Sequence, residues 1–285
     1  MSKLTDWGEN LLADFWRGQG VSALASDWTV HILTAVSESS HTKATWTGYA
    51  GQTVARSLAA WAGTQGAGTT LASTGTSHQT SNNGLIDFGT VPAGGGGTMV
   101  AVGLFSGSNL FAWVDVDDRA LAQDDQVSFA PGSLVFTLGL TGGCSDYLAN
   151  KLIDLVWRAQ SYTMPANTYA AYTTTAPTNA AAGTEPGVGG YARVAIPSTL
   201  SGWGPTQGDL STDASSGTGG RIGNRAAIIF PSPTADQGTI GWGELFDASS
   251  GGNLLIWRAL AASKSVLNGG PAPRFPIDDF GITFA

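Results

Sequence analysis

The amino-acid sequence predicts a mainly β protein, built as two tandem antiparallel β-sandwich (jelly-roll-like) domains, each preceded by a short N-terminal helix. Three observations lead there. The 285 residues include 40 glycines and only 12% charged residues, and the chain favours Thr, Ser, Gly, Val and aromatics over strong helix formers. Residues 242–257 read as a complete β-hairpin: Trp242, Glu244 and Phe246 share one face of a strand, Asp247 to Asn253 supply turn residues, and Leu254, Leu255, Ile256 and Trp257 form an apolar return strand. The same hairpin recurs at 97–105 and 109–113 around a shorter turn, Ser106-Gly107-Ser108.

Taken in order, the first element is expected to be a short helix with Asp6 as N-cap and Glu9 three residues on. Leu11, Leu12, Phe15 and Trp16 form its apolar stripe, and Gly18 and Gly20 end it. A counterpart starts at Ser145, carries Leu148, Leu152, Ile153, Leu155 and Val156, and closes on Trp157-Arg158, 141 residues after Trp16-Arg17. Residues 27–34 alternate as a strand whose partner is 168–174, so that Trp28 corresponds to Tyr169 and His31 to Tyr172. Polar loops follow at 37–47 and 176–190.

The tightest match comes next. Gly48-Tyr49-Ala50 pairs with Gly190-Tyr191-Ala192, and 57–66 pairs with 199–208, at a constant offset of 142. Such coincidence predicts tandem duplication, with the insertions absorbed in turns. Gly, Ser and Thr runs at 66–83 and 208–223 read as flexible connections or long loops, and Asn82 and Asn224 mark the return to order. Ile86, Phe88 and Ile228, Phe230 begin the next strands, and 134–138 and 280–284 close the two units. Residues 141–144 read as the linker, which puts the expected domains at 1–140 and 145–285.

Charge and composition exclude several functions. A net charge of −8, with Lys and Arg scattered singly, argues against nucleic-acid binding, because nothing clusters to neutralise phosphates. Cys144 is the single cysteine, and His31, His41 and His78 do not fall at metal-ligand spacing, so neither a disulfide, a metal nor a cofactor is expected. Asp6 and Glu9 stand beside only Lys3 near the N-terminus, and no apolar run has the length of a signal core or a membrane span.

Several residue groups could carry chemistry, and each competes with a plain packing role. Glu244 and Asp247 could act as a carboxylate pair in a glycosidase, but Gly103 and Ser106 hold the matching positions. Asp115, Asp117, Asp118, Asp124 and Asp125 could gather around calcium; the matching 259–270 has no acidic residue, which favours a solvated acidic loop, and Asp278-Asp279 reads the same way. No Gly-x-Ser-x-Gly elbow occurs, and Gly94 to Gly97 lacks the Lys and Ser/Thr of a phosphate loop. Trp16/Trp157, Trp61/Trp203 and Trp113/Trp257 recur in register, as core or interface positions would. Trp46 and Trp242 have no matched tryptophan and are the candidates for contact with a partner or a glycan.

Gly189-Gly190-Tyr191-Ala192-Arg193, Phe230-Pro231, Gly238-Thr239-Ile240, Glu244 to Ala248 and Gly251-Gly252-Asn253-Leu254-Leu255 resemble a family of tailed-bacteriophage virion proteins labelled tail-fibre-like. The second half matches over most of its length, including Thr175-Ala176-Pro177 and Gly183-Thr184-Glu185; the first matches loosely, without an Arg after Gly48-Tyr49-Ala50. The resemblance implies a non-enzymatic structural protein on the phage exterior, as capsid decoration, head spike or tail-fibre-associated subunit. It would be made in the bacterial host cytoplasm without a signal peptide. Its implied partners are the major capsid or the tail and fibre proteins; independently, a tandem pair offers two similar faces to its neighbours, so a homo-oligomer, a trimer by preference, is expected, and neither nucleic acid binding nor membrane insertion is. A carbohydrate-binding adhesin for a host surface glycan is the alternative, and a polysaccharide hydrolase the third reading.

Overall fold

A computed structural model describes residues 2–141 and 143–285; of the expected linker, Gly142 lies outside the described residues. The chain is mainly β, with antiparallel sheets and two helices. In the first half, β1 (Ser2–Leu4) leads into α1 (Asp6–Trp16), and then β2 (Asp27–Val36), β3 (His41–Lys43) and β4 (Gln52–Ala55) follow. After β5 (Gln79–Ser81) and β6 (Ile86–Thr90) comes the long hairpin of β7 (Gly97–Ser106) and β8 (Asn109–Leu121), and β9 (Gln126–Phe129) and β10 (Val135–Thr137) complete this half.

The second half repeats that order. Two short strands, β11 (Leu140–Thr141) and β12 (Gly143–Cys144), precede α2 (Asp146–Arg158), β13 (Asn167–Thr173) and β14 (Val194–Pro197). β15 (Arg221–Gly223) and β16 (Ile228–Ile229) lead to the second long hairpin, β17 (Gly238–Phe246) and β18 (Leu254–Val266), followed by β19 (Arg274–Phe275) and β20 (Gly281–Phe284). The larger sheets run β1-β8-β7-β2-β3, with β4 also on β2, and β12-β18-β17-β13-β14. Corresponding strands therefore occupy corresponding places. Trp113 stands opposite Lys3 and Gly103, and Trp257 opposite Gly143 and Glu244.

One hydrophobic core runs through both halves, because each helix buries a stripe against strands of its own half and of the other. Trp16, Trp61, Trp157 and Trp203 are all inside it, as the packing reading of the recurrent tryptophans requires. Smaller clusters cover the outer faces, around Phe105 and Trp113 on one sheet and around Phe246 and Leu254 on the other. Two asparagines fix the closing strands. Asn82 Nδ2 donates to Gly84 and Ala130 carbonyls while its Oδ1 accepts from Leu134 N; Asn224 does the same with Ala226, Pro276 and Phe280 N.

Several local expectations need correction. The N-cap of α1 is Thr5, whose hydroxyl accepts from Gly8 N at 3.2 Å; Asp6 is the first helical residue, placed where a carboxylate favours the helix dipole. The strand equivalence slips by one residue. Thr29 and Tyr169 sit opposite Phe105 and Phe246, and His31 and Ala171 opposite Gly103 and Glu244, so Trp28 matches Thr168 and Ile32 matches Tyr172. With a side-chain period of two, that slip changes faces: Trp28 is in the shared core, whereas Tyr169 packs on the outer cluster. The return strands are longer than expected and absorb Asp115, Asp117 and Asp118, which are exposed in β8 rather than in a loop.

Candidate functional site: two arginine sockets between the halves

Each helix ends on an arginine with a carboxylate about one turn before it: Asp14 and Arg17, and Asp154 and Arg158. That spacing sets the two side chains on one helix face. Both guanidinium groups are fully buried, and neither is satisfied by its own half. Arg158 donates through Nε to the Trp61 carbonyl at 3.0 Å, through Nη1 to Asp154 at 2.6 Å and Ser73 Oγ at 3.1 Å, and through Nη2 to Leu71 and Thr69 carbonyls at 2.6 and 3.3 Å. Asp154 in turn accepts from Ser73 N and Oγ at 2.9 and 2.6 Å.

The other helix makes the reciprocal set. Arg17 donates to the Trp203 carbonyl at 3.1 Å, to Asp14 at 2.7 Å, to Ser215 Oγ at 3.2 Å and to the Ser211 carbonyl at 3.4 Å, and Asp14 accepts from Ser215 N at 2.9 Å. A second pair of side chains repeats the exchange: Thr64 donates to Asn150, and Thr206 to Asn10. Of the two readings of the Gly/Ser/Thr-rich segments, flexible connections or long loops, the second holds: they are long loops held by the opposite helix. Their composition suits the role, because carbonyls and small hydroxyls can surround a guanidinium where larger side chains would block it. Arg56 adds a further tie, donating to the Val156 and Leu155 carbonyls at the C-terminal end of α2 at 2.7 and 2.8 Å, where positive charge is favoured.

The two contacts differ electrostatically at one position. On the α2 side, His78 Nε2 meets Asp146 Oδ1 at 2.8 Å. On the α1 side the histidine is replaced by Gly220, and Glu9 fills the space against it, with Oε2 buried and without a partner. Burial, then the nearby Glu38 and Asp6, push the Glu9 carboxyl up to about 7.

A separate cluster gathers the residues that carry the family resemblance. Arg193 makes a two-pronged contact with Glu185, Nη2 donating to Oε1 at 2.5 Å and Nε to Oε2 at 3.0 Å, lies 3.4 Å above the Phe246 ring, and donates to the Ala248 and Gly251 carbonyls of the hairpin turn. Tyr191 donates to Glu185 at 2.7 Å. Glu244 is fully buried; its Oε1 accepts from Thr173 Oγ1 and Gly183 N, its Oε2 has no partner, and burial raises its pKa. The cluster fastens the 174–193 loop to the β17–β18 turn. The first half holds Lys43 there instead, 4.1 Å above Phe105, with His31 and His41 against the same ring; burial first, then Lys43 and His41, lower the His31 pKa to about 4.

The candidate site residues are placed as follows. Trp46, half-buried in the loop after β3, stacks edge-on to Tyr49 with centroids 4.4 Å apart and lies against Gly96. Trp242 is half-buried in β17 between Thr173 and Ala259. The two belong to different sheets. Asp247 is occupied by Asn253, and Glu244 is sealed from solvent. Among the described residues no group of three His, Cys, Asp or Glu is placed to hold a metal ion, and no helix is long and apolar enough to cross a membrane. Sequence reasoning missed both sockets, although the recurring Trp-Arg pair at the helix ends was their signal.

Fold and site together define a mainly antiparallel β protein whose two halves lock together through buried arginines. Comparison with known proteins adds one finding: residues 143–283 match the family described as Podophage GP4 fiber I protein gp80, so this half is similar to a phage tail-fibre-like family. No curated protein matches the chain.

Proposed function

We propose that the protein is a non-enzymatic structural component on the exterior of a tailed phage particle, as capsid decoration, head spike or tail-fibre-associated subunit. The family match over 143–283 carries this reading. The placement of the matched residues supports it: Glu185, Tyr191, Arg193 and Glu244 are spent on internal bonds that rigidify a loop and a hairpin turn, and Glu244 is fully buried. The first half is read as a divergent tandem copy. Its partners are other virion proteins, either the major capsid or the tail and fibre proteins, and sister copies of the chain, with a trimer favoured. Its role is to stabilise the particle or anchor other surface components. Cryo-electron microscopy of virions carrying a tagged copy tests this. Density at a defined exterior position is expected, and purified virions that lack the protein would overturn the reading.

A second reading, a carbohydrate-binding adhesin, draws on Trp46 and Trp242, each of which keeps part of its surface exposed. A glycan array with Trp46→Ala and Trp242→Ala variants tests it, expecting binding that either substitution abolishes. Hydrolysis has less support, since Glu244 is out of reach of a substrate; release of reducing ends from host polysaccharide would reverse that judgement.

A further inference from the structure

The two long hairpins carry the same irregularity, acidic in one and uncharged in the other. Between Ala101↔Asp115 and Met99↔Arg119, the single residue Val100 faces Val116, Asp117 and Asp118, so β8 bulges outward as an acidic lobe. Between Trp242↔Ala259 and Ile240↔Lys264, Gly241 faces the four residues 260–263, so β18 bulges likewise but without a charge. Beside this second bulge lies a cavity of about 210 Å³ with an apolar floor of Phe230, Leu260 and Phe275 and a rim of Arg258, Lys264 and Arg274, with Asp279 as the one acidic residue of its lining.

The charges on these two features have little use within the chain. Asp117 and Asp118 are exposed, and among the described residues neither has a hydrogen-bond or ion-pair partner; the same is true of Lys264 and Arg274. Arg258 reaches the Asp279 carbonyl at 2.5 Å and its carboxylate only at 3.9 Å. An acidic lobe and a cation-rimmed cavity on one chain can meet only between copies or by bending the fold, and each lobe already sits in a packed sheet.

We propose that the acidic lobe of β8 in one copy docks on the cation-rimmed cavity beside β18 of a second copy. The partner is this same chain. Two different surfaces meet, so the contact is head-to-tail and either closes into a ring or extends as a filament. Opposite charges at the rim steer encounter and fix register, and the apolar floor supplies buried area. The inference deepens the particle role proposed above by giving the self-association its surface.

The test uses the full-length chain and two charge-reversed variants, Asp117→Lys/Asp118→Lys and Lys264→Glu/Arg274→Glu, with mass measured by sedimentation velocity at low and high salt. All four positions are exposed, and unchanged circular dichroism checks that both variants fold. The wild type is expected to associate at low salt and weaken as salt rises. Each variant alone should associate at least tenfold more weakly, and an equimolar mixture should recover association, because the reversed lobe of one fits the reversed rim of the other. Wild-type self-association unaffected by either reversal, a mixture that fails to recover, or a wild type that stays monomeric would each overturn the proposal. Virions grown with only a variant supplied separate this outcome from the particle role. Variant protein present on particles while association is lost supports the surface, whereas wild-type protein missing from virions overturns the particle role without touching the solution result.

Discussion

Replacing Arg158 by methionine tests whether the sockets hold the halves together. The guanidinium is fully buried and makes five hydrogen bonds, three to carbonyls of the other half. Methionine fills much of the volume, so the loss is chiefly polar. Asp154 is left as a buried charge, and breaking such a pair costs about 3–5 kcal/mol. Ser73 N and Oγ still donate to that carboxylate, which places the expected cost near the lower end, about 3 kcal/mol. Removing both charges in Arg158→Met/Asp154→Leu is expected to return about half of it, since no lone charge remains. Arg17→Met should cost less, about 2 kcal/mol, because one of its four bonds is long at 3.4 Å and Asp14 keeps some contact with water. Urea unfolding followed by tryptophan fluorescence gives each value. A loss below about 1 kcal/mol for Arg158→Met, or a double variant no more stable than the single one, would refute the socket account.

Other expectations follow from single positions. The Glu9 carboxyl is raised from 4.5 to about 7 in the folded chain, so the stability it contributes is complete below pH 4.5 and is lost as pH climbs towards 7, by at most about 3 kcal/mol. Melting curves for wild type and Glu9→Gln should therefore diverge between pH 4.5 and 7, and parallel curves would contradict the assignment. Ala159 ends α2 in the left-handed region at φ 52°, so Ala159→Gly is expected to stabilise by about 1 kcal/mol in urea unfolding. Asn224→Ala removes three bonds from a fully buried side chain and should cost about 2–3 kcal/mol, with Asn82→Ala matching it within experimental scatter. A β-carbon added at Gly143 would lie inside the Trp257 ring, so Gly143→Ala is expected to yield little soluble protein, judged by expression against Gly187→Ala, where a β-carbon meets nothing within 4 Å.

The recurrence of the fold was legible because its carriers are aromatic side chains and turn residues that leave a signature in any linear reading. The hairpins, both helices and the closing strands lie where alternation and apolar stripes put them. The one-residue slip at Trp28 and Thr168 was not legible, since two alternating strands align almost equally well in adjacent registers until their neighbours are known. Thr5 and Asp6 are both good caps by residue type, and only the hydroxyl bonds of Thr5 to Leu110 and Gly8 decide between them. The sockets were hidden for a different reason. Their walls are backbone carbonyls at Trp61, Leu71 and Trp203, which have no side-chain identity to read, and the partners lie 97 and 186 residues apart. The matched cluster at Glu185, Arg193 and Glu244 was visible as a set of residues but not as a structure, because the interactions that join it span separate loops.

Those two separations make the chain asymmetric in time. When α2 emerges from the ribosome, the loop that receives Arg158 has already been made, 97 residues earlier, and docking can begin at once. Arg17 has no such receiver, because Trp203 follows it by 186 residues, which at 5–20 residues per second is a wait of roughly 10–40 s. During that interval the Arg17 guanidinium has Asp14 beside it but not the Trp203 carbonyl or Ser215. The first helix can already lie on β8 of its own half, yet the side that meets β20 stays uncovered until the end of the second half is made.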